Sequence, residues 1–251
     1  MPERKTGKIP EYRRIANDLR AAIDRGDYQP GQRIPGENDL MRDYEVSRNT
    51  ARDALAVLRH EGVTDTRRGA GNFVRQFKLI PRLANERLSR RTWGEGRSIW
   101  SADMKGRPSA EEVDVQEIEA PERIAGILGL SVGDPVIRRA RVHLSEGRPV
   151  QLSTSYLPAR LVADSPITQP DTGPGGTYAR LLDLGHPPAR FREEVRARMP
   201  VGDEAKRLKL AAGVPVAHIV RTAFEADGTP LEVNEMILDG NTYLLQYDID
   251  A

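Results

Sequence analysis

No cysteine occurs among the 251 residues, which removes disulfides, thiolate nucleophiles and thiolate metal sites together. Histidine is scarce: His60, His143, His186 and His218 stand apart, with no carboxylate or second histidine at ligand spacing, so no metal site is expected. No apolar run approaches the roughly 20 residues of a membrane helix. The opening Met1-Pro2-Glu3-Arg4-Lys5 lacks the apolar core of a secretion signal. A cytoplasmic chain with no membrane partner is therefore expected. No nucleophile-elbow pattern accompanies its serines, so no catalytic residue and no cofactor are assigned. Net charge is almost absent too, at +1. That value hides an asymmetry, because residues 1–107 hold 23 Lys and Arg against 15 Asp and Glu, while 108–251 hold 15 against 22. A basic front joined to an acidic rear fits nucleic-acid binding in the first part and a different task in the second.

The front part is rich in helical periodicity. Tyr12, Ile15, Ala16, Leu19, Ala22 and Ile23 form an apolar stripe that Gly26 closes. A Pro30-Gly31 turn and a short strand near Ile34 follow, then a short helix over 37–44 with Leu40 and Met41 inward. After a tight connector, Ser47 is a good N-cap for a third helix ending near Gly62. Ala51, Ala54, Leu55 and Leu58 would face a core, while Arg48, Asn49 and Arg52 share the polar side. Two guanidinium forks and a carboxamide at the start of a helix suit the major groove, where Arg reads guanine and Asn reads adenine. The alternative is an ordinary solvated face. Residues 63–66 and 72–75 are β-prone around a tip holding Arg67, Arg68, Gly69 and Gly71, a hairpin whose cations and open backbone suit phosphate or the minor groove. Gly69-x-Gly71 lacks the spacing and preceding strand of a dinucleotide fingerprint.

The ordered run Tyr12…Ile15-Ala16…Leu19…Gly26-Asp27-Tyr28…Pro30-Gly31…Arg33-Ile34-Pro35-Gly36-Glu37…Val46-Ser47-Arg48…Thr50…Arg52…Glu61-Gly62-Val63…Gly69…Gly71…Phe73-Val74 closely resembles the winged helix-turn-helix of GntR-family transcription regulators. The resemblance implies DNA contacts from Arg48 and Arg52 on the recognition helix and from Gly69 at the wing tip. Arg33 and Thr50, inside the matched run, complete the expected set with Ser47, Asn49, Arg67 and Arg68. Asn38 stands where the family often has arginine, and Gly36 where it more often has Ser or Ala, so operator preference is expected to differ.

Residues 77–97, with Arg82, Arg87, Arg90, Arg91 and Arg97, read as a solvated basic linker, the alternative being an amphipathic connecting piece around 79–88. Trp93 and Trp100 read as packed against the second domain in preference to a ligand platform. From residue 98 the texture becomes α+β. Strands are expected near 113–118, 136–144, 150–156, 191–199, 215–226, 230–238 and 243–249, with helices near 121–128, 178–184 and 202–210. One pattern recurs: Gly133-Asp134-Pro135-Val136 and Gly213-Val214-Pro215-Val216 each lead from a helix end into a β run closed by Gly-x-Pro. Two such halves suggest a duplicated antiparallel sheet.

This rear part resembles the UTRA domain of the HutC subfamily within GntR. The marks are Arg139-Ala140-Arg141, Gly147-Arg148-Pro149, Tyr156-Leu157-Pro158, Gly228-Thr229-Pro230-Leu231-Glu232 and Asp239…Tyr243. The resemblance implies an α+β protein: a winged helix-turn-helix at 1–76, a linker at 77–97, and at 98–251 an effector-binding and dimerisation domain. That domain would have the chorismate-lyase fold, a six-stranded antiparallel sheet with helices. Effector contacts carry over to Arg139, Arg141, Tyr178 and Glu232, with Ser98 and Ser101 near a phosphate-binding loop of the relatives. Alternation puts Arg139 and Arg141 on one sheet face, where each needs an anionic ligand or an internal partner, Glu232 being the nearest in kind. Gly176 and Leu238 replace a hydroxyl and a tyrosine of the sugar-phosphate binders, which favours a larger, partly apolar anion. The implied function is a ligand-responsive regulator. It would be a homodimeric repressor on a double-stranded, inverted-repeat operator, released by a small anionic effector. The alternative is an enzyme of chorismate-lyase type carrying a DNA-binding head.

Overall fold

The apolar stripe at the front becomes the first helix of a three-helix cluster. The computed structural model describes residues 9–67, 69–75, 79–94, 96, 99 and 109–248. Cα proximity divides the chain into two units, residues 1–78 with 211–214 and residues 79–210 with 215–251.

In the first unit, α1 (Glu11–Asp24) buries Ile15, Ala16 and Leu19, and Gly26 turns the chain at φ +87°. Helix α2 (Glu37–Tyr44) buries Leu40. Gly36 has no side chain to cap this helix, and Asp39 compensates by accepting from the Gly36 N–H at 2.9 Å. Glu45 then takes a left-handed conformation, φ 54°, and so makes the tight turn into α3 (Arg48–His60). Ser47 caps α3 by accepting from the Thr50 N–H at 3.2 Å. Ala51, Ala54, Leu55 and Leu58 enter a core shared with α1, α2, Ile34 and Val74. The wing follows as β1 (Thr64–Arg67) and β2 (Gly71–Val74), antiparallel with Arg67 opposite Gly71. Residues 32–34 add a short third strand, for Ile34 N–H donates to Asn72 O and Val74 N–H to Gln32 O.

In the second unit β3 (Ile80–Leu83) leads to α4 (Ala84–Arg87) and α5 (Arg90–Gly94). The long strands are β4 (Ser109–Glu119), β5 (Pro135–Ser145), β6 (Arg148–Pro158), β7 (Arg190–Arg198), β8 (Val216–Phe224) and β9 (Pro230–Asp239). They form one antiparallel sheet in the order β4-β5-β6-β9-β8-β7. A final strand, β10 (Tyr243–Gln246), leaves this sheet and pairs in parallel with β3. The helix Glu122–Leu128 covers one face of the sheet, packing Ile124, Ala125 and Leu128 on Val136, Val220 and Val233. The helix Gly176–Asp183 covers the other, packing Tyr178 and Leu181 with Ile137, Leu157, Ala223 and Trp93.

The order reads as two three-stranded halves, β4-β5-β6 and β7-β8-β9, each with a short helix between its first and second strands and joined at β6–β9. That is the duplication expected from the repeated Gly and Pro-Val pattern. The expectation of a solvated linker over 77–97 is corrected within 79–94. This stretch forms β3, α4 and α5 and carries Arg82, Arg87 and Trp93 nearly fully buried. Composition misleads there because Arg82 and Arg87 face an internal carboxylate, Glu193, while Arg90 and Arg91 do face water.

The core of the first unit supplies a direct test. Leu58 is fully enclosed among α1 and α3 residues, so Leu58→Ala should cost about 2–5 kcal/mol, measured as urea-induced loss of helical signal. A change below about 1 kcal/mol would show that this seam does not hold α3.

Candidate nucleic-acid interface and ligand cavity

The polar side of α3 is the first site. Ala51, Ala54, Leu55 and Leu58 point inward, which leaves Arg48, Asn49 and Arg52 exposed. Each arginine is steadied by a carboxamide: Arg48 Nη2 donates to Asn38 Oδ1 at 3.2 Å and Arg52 Nη2 to Asn49 Oδ1 at 2.9 Å. Asn38, where the family often has a cation, thus holds a recognition-helix guanidinium from the start of α2. Ser47 and Thr50 are committed to the cap, their hydroxyls 2.9 Å apart. On the wing, the Arg67 guanidinium lies over the Phe73 ring, 4.2 Å from its centroid. Exposed Arg33 lies against Gly71, where an added Cβ would meet Arg33 Nε at 3.0 Å. Gly69 sits at the wing tip with φ +77° and open space around it. Arg68 lies outside the described residues. The remaining DNA candidates are exposed, apart from half-buried Thr50, on the front of α3, the start of α2 and the wing.

The second site is a cavity on the face of the sheet covered by the helix Gly176–Asp183. It leaves about 90 Å³ for the centres of water-sized molecules, room for several waters or a small polar molecule. Its walls are Arg141 and His143 on β5, Gln151 and Ser153 on β6, Glu232, Asn234 and Met236 on β9, and Arg221 on β8. Arg87, Ile99 and residues 175–178 close it. Alternation explains the set. Cross-strand partners share a face, and the register pairs Arg141 with Ser153, His143 with Gln151, and Arg221 with Asn234.

Arg141 Nη2 donates to Ser155 Oγ at 2.6 Å, and its Nε is buried without a hydrogen-bond partner. Burial, with Arg221 nearby, lowers its pKa although Glu232 opposes this. Glu232 is 2% exposed and accepts from the Tyr178 hydroxyl at 2.6 Å. Burial pushes the Tyr178 phenol far up, so it stays protonated and donates. Ser153 Oγ donates to Asn234 Oδ1 at 2.9 Å. The N-terminus of the helix Gly176–Asp183 adds partial positive charge beside Thr177. Gly175 permits this approach, because an added Cβ would stand 2.7 Å from Trp93 O and 2.5 Å from Ala179 Cβ. Thr177, one position after Gly176, lines the cavity.

The structure thus brings Arg141, Tyr178 and Glu232 together. Arg139 shares their sheet face but does not line the cavity. Its guanidinium donates to the carbonyls of Ile167, Gln169 and Pro170, and burial, with Arg141 beside it, lowers its pKa to about 10. The alternative of an internal ion pair between Glu232 and Arg139 or Arg141 is not what the described residues show; Glu232 accepts from Tyr178 instead. Ser98, Trp100 and Ser101 lie outside those residues.

Sequence reading missed Arg87, His143, Gln151, Ser153, Arg221 and Asn234. For Arg221 a signal was present. The repeat that sets Pro135-Val136 on Pro215-Val216 sets Arg141 on Arg221, and Ser153 on Asn234 through the following turn.

His143 gives a pH test. Burial first, then the charges of Arg141 and Arg87, hold its pKa well below the ordinary value. The folded chain therefore refuses a proton that the unfolded chain accepts below about pH 6.5. Stability from this group is present above that pH and falls, by at most about 1.4 kcal/mol per unit, as pH drops towards the folded pKa. Urea midpoints between pH 7.5 and 5.5 should slope less in His143→Gln, and an equal slope would exclude this imidazole. Tyr178→Phe should cost about 1.5–3 kcal/mol at neutral pH, since a buried carboxylate loses its donor; a loss below about 0.5 kcal/mol would mean that another donor serves Glu232.

Comparison with known proteins bears on both units of the chain. Residues 11–74 match the family of bacterial regulatory proteins called gntR, and residues 103–243 match the UTRA domain. The chain is 32% identical over 250 residues to an uncharacterised HTH-type transcriptional regulator of Streptomyces coelicolor, covering 96% of this chain and 93% of the relative. It is 27% identical to the HTH-type transcriptional repressor NagR of Bacillus subtilis, over 98% and 97% of the two chains. Among solved structures, a GntR-family transcriptional regulator superposes with TM-score 0.69 at 27% identity, covering 97% of this chain and 98% of the other. PhnF of Mycobacterium smegmatis superposes with TM-score 0.57 at 25% identity, covering 94% and 99%. These relatives are regulators and lend the lyase alternative no support. The chain belongs to the GntR family of bacterial regulatory proteins, a DNA-binding transcription regulator with a UTRA domain.

Proposed function

We propose that the protein is a repressor that binds an inverted-repeat operator as a homodimer and leaves it when a small anionic molecule enters the cavity. The observation that carries this reading is the pairing, in one chain, of an exposed recognition helix bearing Arg48 and Arg52 with a cavity lined by Arg87, Arg141 and Arg221. The repressor NagR, similar along nearly its whole length, supports the sign of regulation. Residues 1–76 are taken as the DNA-binding domain, 77–97 as the connection, and 98–251 as the effector-binding and dimerisation domain, acting in the cytoplasm where the operator is. Arg48, Asn49 and Arg52 read bases, and Arg33, Asn38, Ser47, Thr50, Arg67, Arg68 and Gly69 engage the backbone and minor groove. Arg141, Tyr178 and Glu232 hold the effector. Ser98 and Ser101 belong to the same proposal, while Arg139 fixes the loop at 167–170 that closes nearby. Two recognition helices must meet major-groove faces about 34 Å apart, so a modest reorientation within the dimer suffices for release.

Operator sites selected from a random duplex pool should be inverted repeats, bound by a species of dimer mass in sedimentation. Arg48→Ala and Arg52→Ala should each weaken binding by about 1–3 kcal/mol and relax base preference. Affinity should fall steeply with salt. Unchanged affinity in both variants, or a monomer on a single half-site, would overturn this reading.

A further inference from the structure

Arg141 and Arg221 occupy equivalent positions in the two halves of the sheet, yet their surroundings differ. Arg221 faces Glu193 directly across the β7–β8 ladder, with 3.6 Å between Arg221 Nη1 and Glu193 Oε1. The same offset of 80 residues places Val113 where a carboxylate would face Arg141, in the stretch where the β4–β5 register shifts. Among the described residues Arg221 has a carboxylate directly across its ladder and Arg141 has none there, while the charge of Glu232 acts on both. Glu193 is shared: Arg82 Nη2 donates to its Oε1 at 2.7 Å, and Arg87 Nη1 lies 3.6 Å from the same oxygen. Arg87 and Arg221 line the cavity, while Glu193 stands behind them, off its wall. Arg82 lies on β3 and Arg87 on α4, so this carboxylate also clamps the stretch that comes after the winged helix in the chain.

We propose that Glu193 is an internal counter-ion with which an anionic effector competes, so that an anion at Arg87 and Arg221 loosens the clamp on residues 80–94. Glu193 acts through these arginines and is a positioning residue. The inference rests on the anionic-effector reading above and deepens it. The mechanism follows from charge: an incoming anion beside Arg221 and Arg87 repels Glu193 and takes over part of its interaction with both guanidinium groups. The shared chemistry of the occupant is an oxyanion, whether phosphate or carboxylate. Because β3 also carries the parallel pairing with β10, a change at Arg82 reaches both strands. Entry of the ligand is then felt at the beginning of the second unit without any new contact there.

The test uses the full chain and two probes, inorganic phosphate and oxalate, with affinity read by calorimetry and hydrogen exchange followed over residues 80–94. Glu193→Gln removes the competing charge and should bind at least one probe about tenfold more tightly than the wild type. A merely structural role predicts equal or weaker binding, because the pocket would be damaged. In the wild type the bound probe should speed exchange over 80–94. In Glu193→Gln exchange should already be fast and respond little. Glu193→Asp, which draws the carboxylate back from Arg221 while keeping its charge, should shift affinity in the same direction by about threefold, and decides the matter if the glutamine variant does not fold. Saturable probe binding that both substitutions leave unchanged or weaken would overturn this inference and leave the effector reading standing. No saturable binding of either probe, in wild type and variants alike, would overturn both.

Discussion

A guanidinium enclosed by protein needs an anion or several carbonyls beside it, because the cost of desolvating an unpaired charge exceeds what packing around it returns. The second unit meets this requirement in three ways. Arg139 is absorbed by three backbone carbonyls of residues 167–170 and so becomes a fastening for that loop. Arg82, Arg87 and Arg221 gather around Glu193. Arg141 has a serine hydroxyl and otherwise faces the cavity. The cavity is thus where Arg141, with Glu232 as the carboxylate in its wall, meets open space, and the neutral groups around it, Gln151, Ser153 and Asn234, supply direction without adding charge.

The first unit obeys the opposite constraint. The arginines of its recognition helix and wing are outside, where water screens them and little energy fixes their positions, while Arg75 is buried against Asp65. What matters there is geometry, and the chain provides it with carboxamides and an aromatic ring. Asn38 and Asn49 each accept from a guanidinium of α3, and Phe73 lies under Arg67. These contacts restrict rotamers before DNA arrives, which lowers the ordering cost of binding. Asn38 therefore does more than lack a charge. Its carboxamide also accepts from Arg48, so a change at this position would reach the recognition helix as well.

Much of this was legible in the sequence where local rules and tertiary structure agree. The stripe of α1, the cap at Ser47, the tight turn and the wing are all set by short-range signals, and α2 and the six long strands fall within a few residues of where alternation and turn residues place them. The rest failed for physical reasons. Ile80-Pro81-Arg82-Leu83 is short, contains a proline and carries a charge, so nothing local marks it as a strand; its partner, β10, lies about 160 residues away in the chain. Arg82 and Arg87 looked solvated because composition cannot reveal a buried carboxylate contributed by β7. Arg139 and Arg141 were rightly placed on one face, but which of them meets a ligand depends on where the loop at 166–170 returns.

The duplication explains why the cavity lies where it does. Two halves that each end in a hairpin meet along β6 and β9, and each brings a middle strand with one arginine, Arg141 or Arg221, flanking that seam. Had the halves stayed alike, two equivalent cations would face each other across a polar floor with no anion between them. The halves differ in charge: β7 carries Glu193 across from Arg221, β9 carries Glu232, whose charge acts on both arginines, and β4 has Val113 at the equivalent offset from Arg141. A site of this kind can respond to charge because its own compensation is incomplete on one side only. Full compensation would make the arginines structural, as Arg139 has become. With none, the sheet could not close around them.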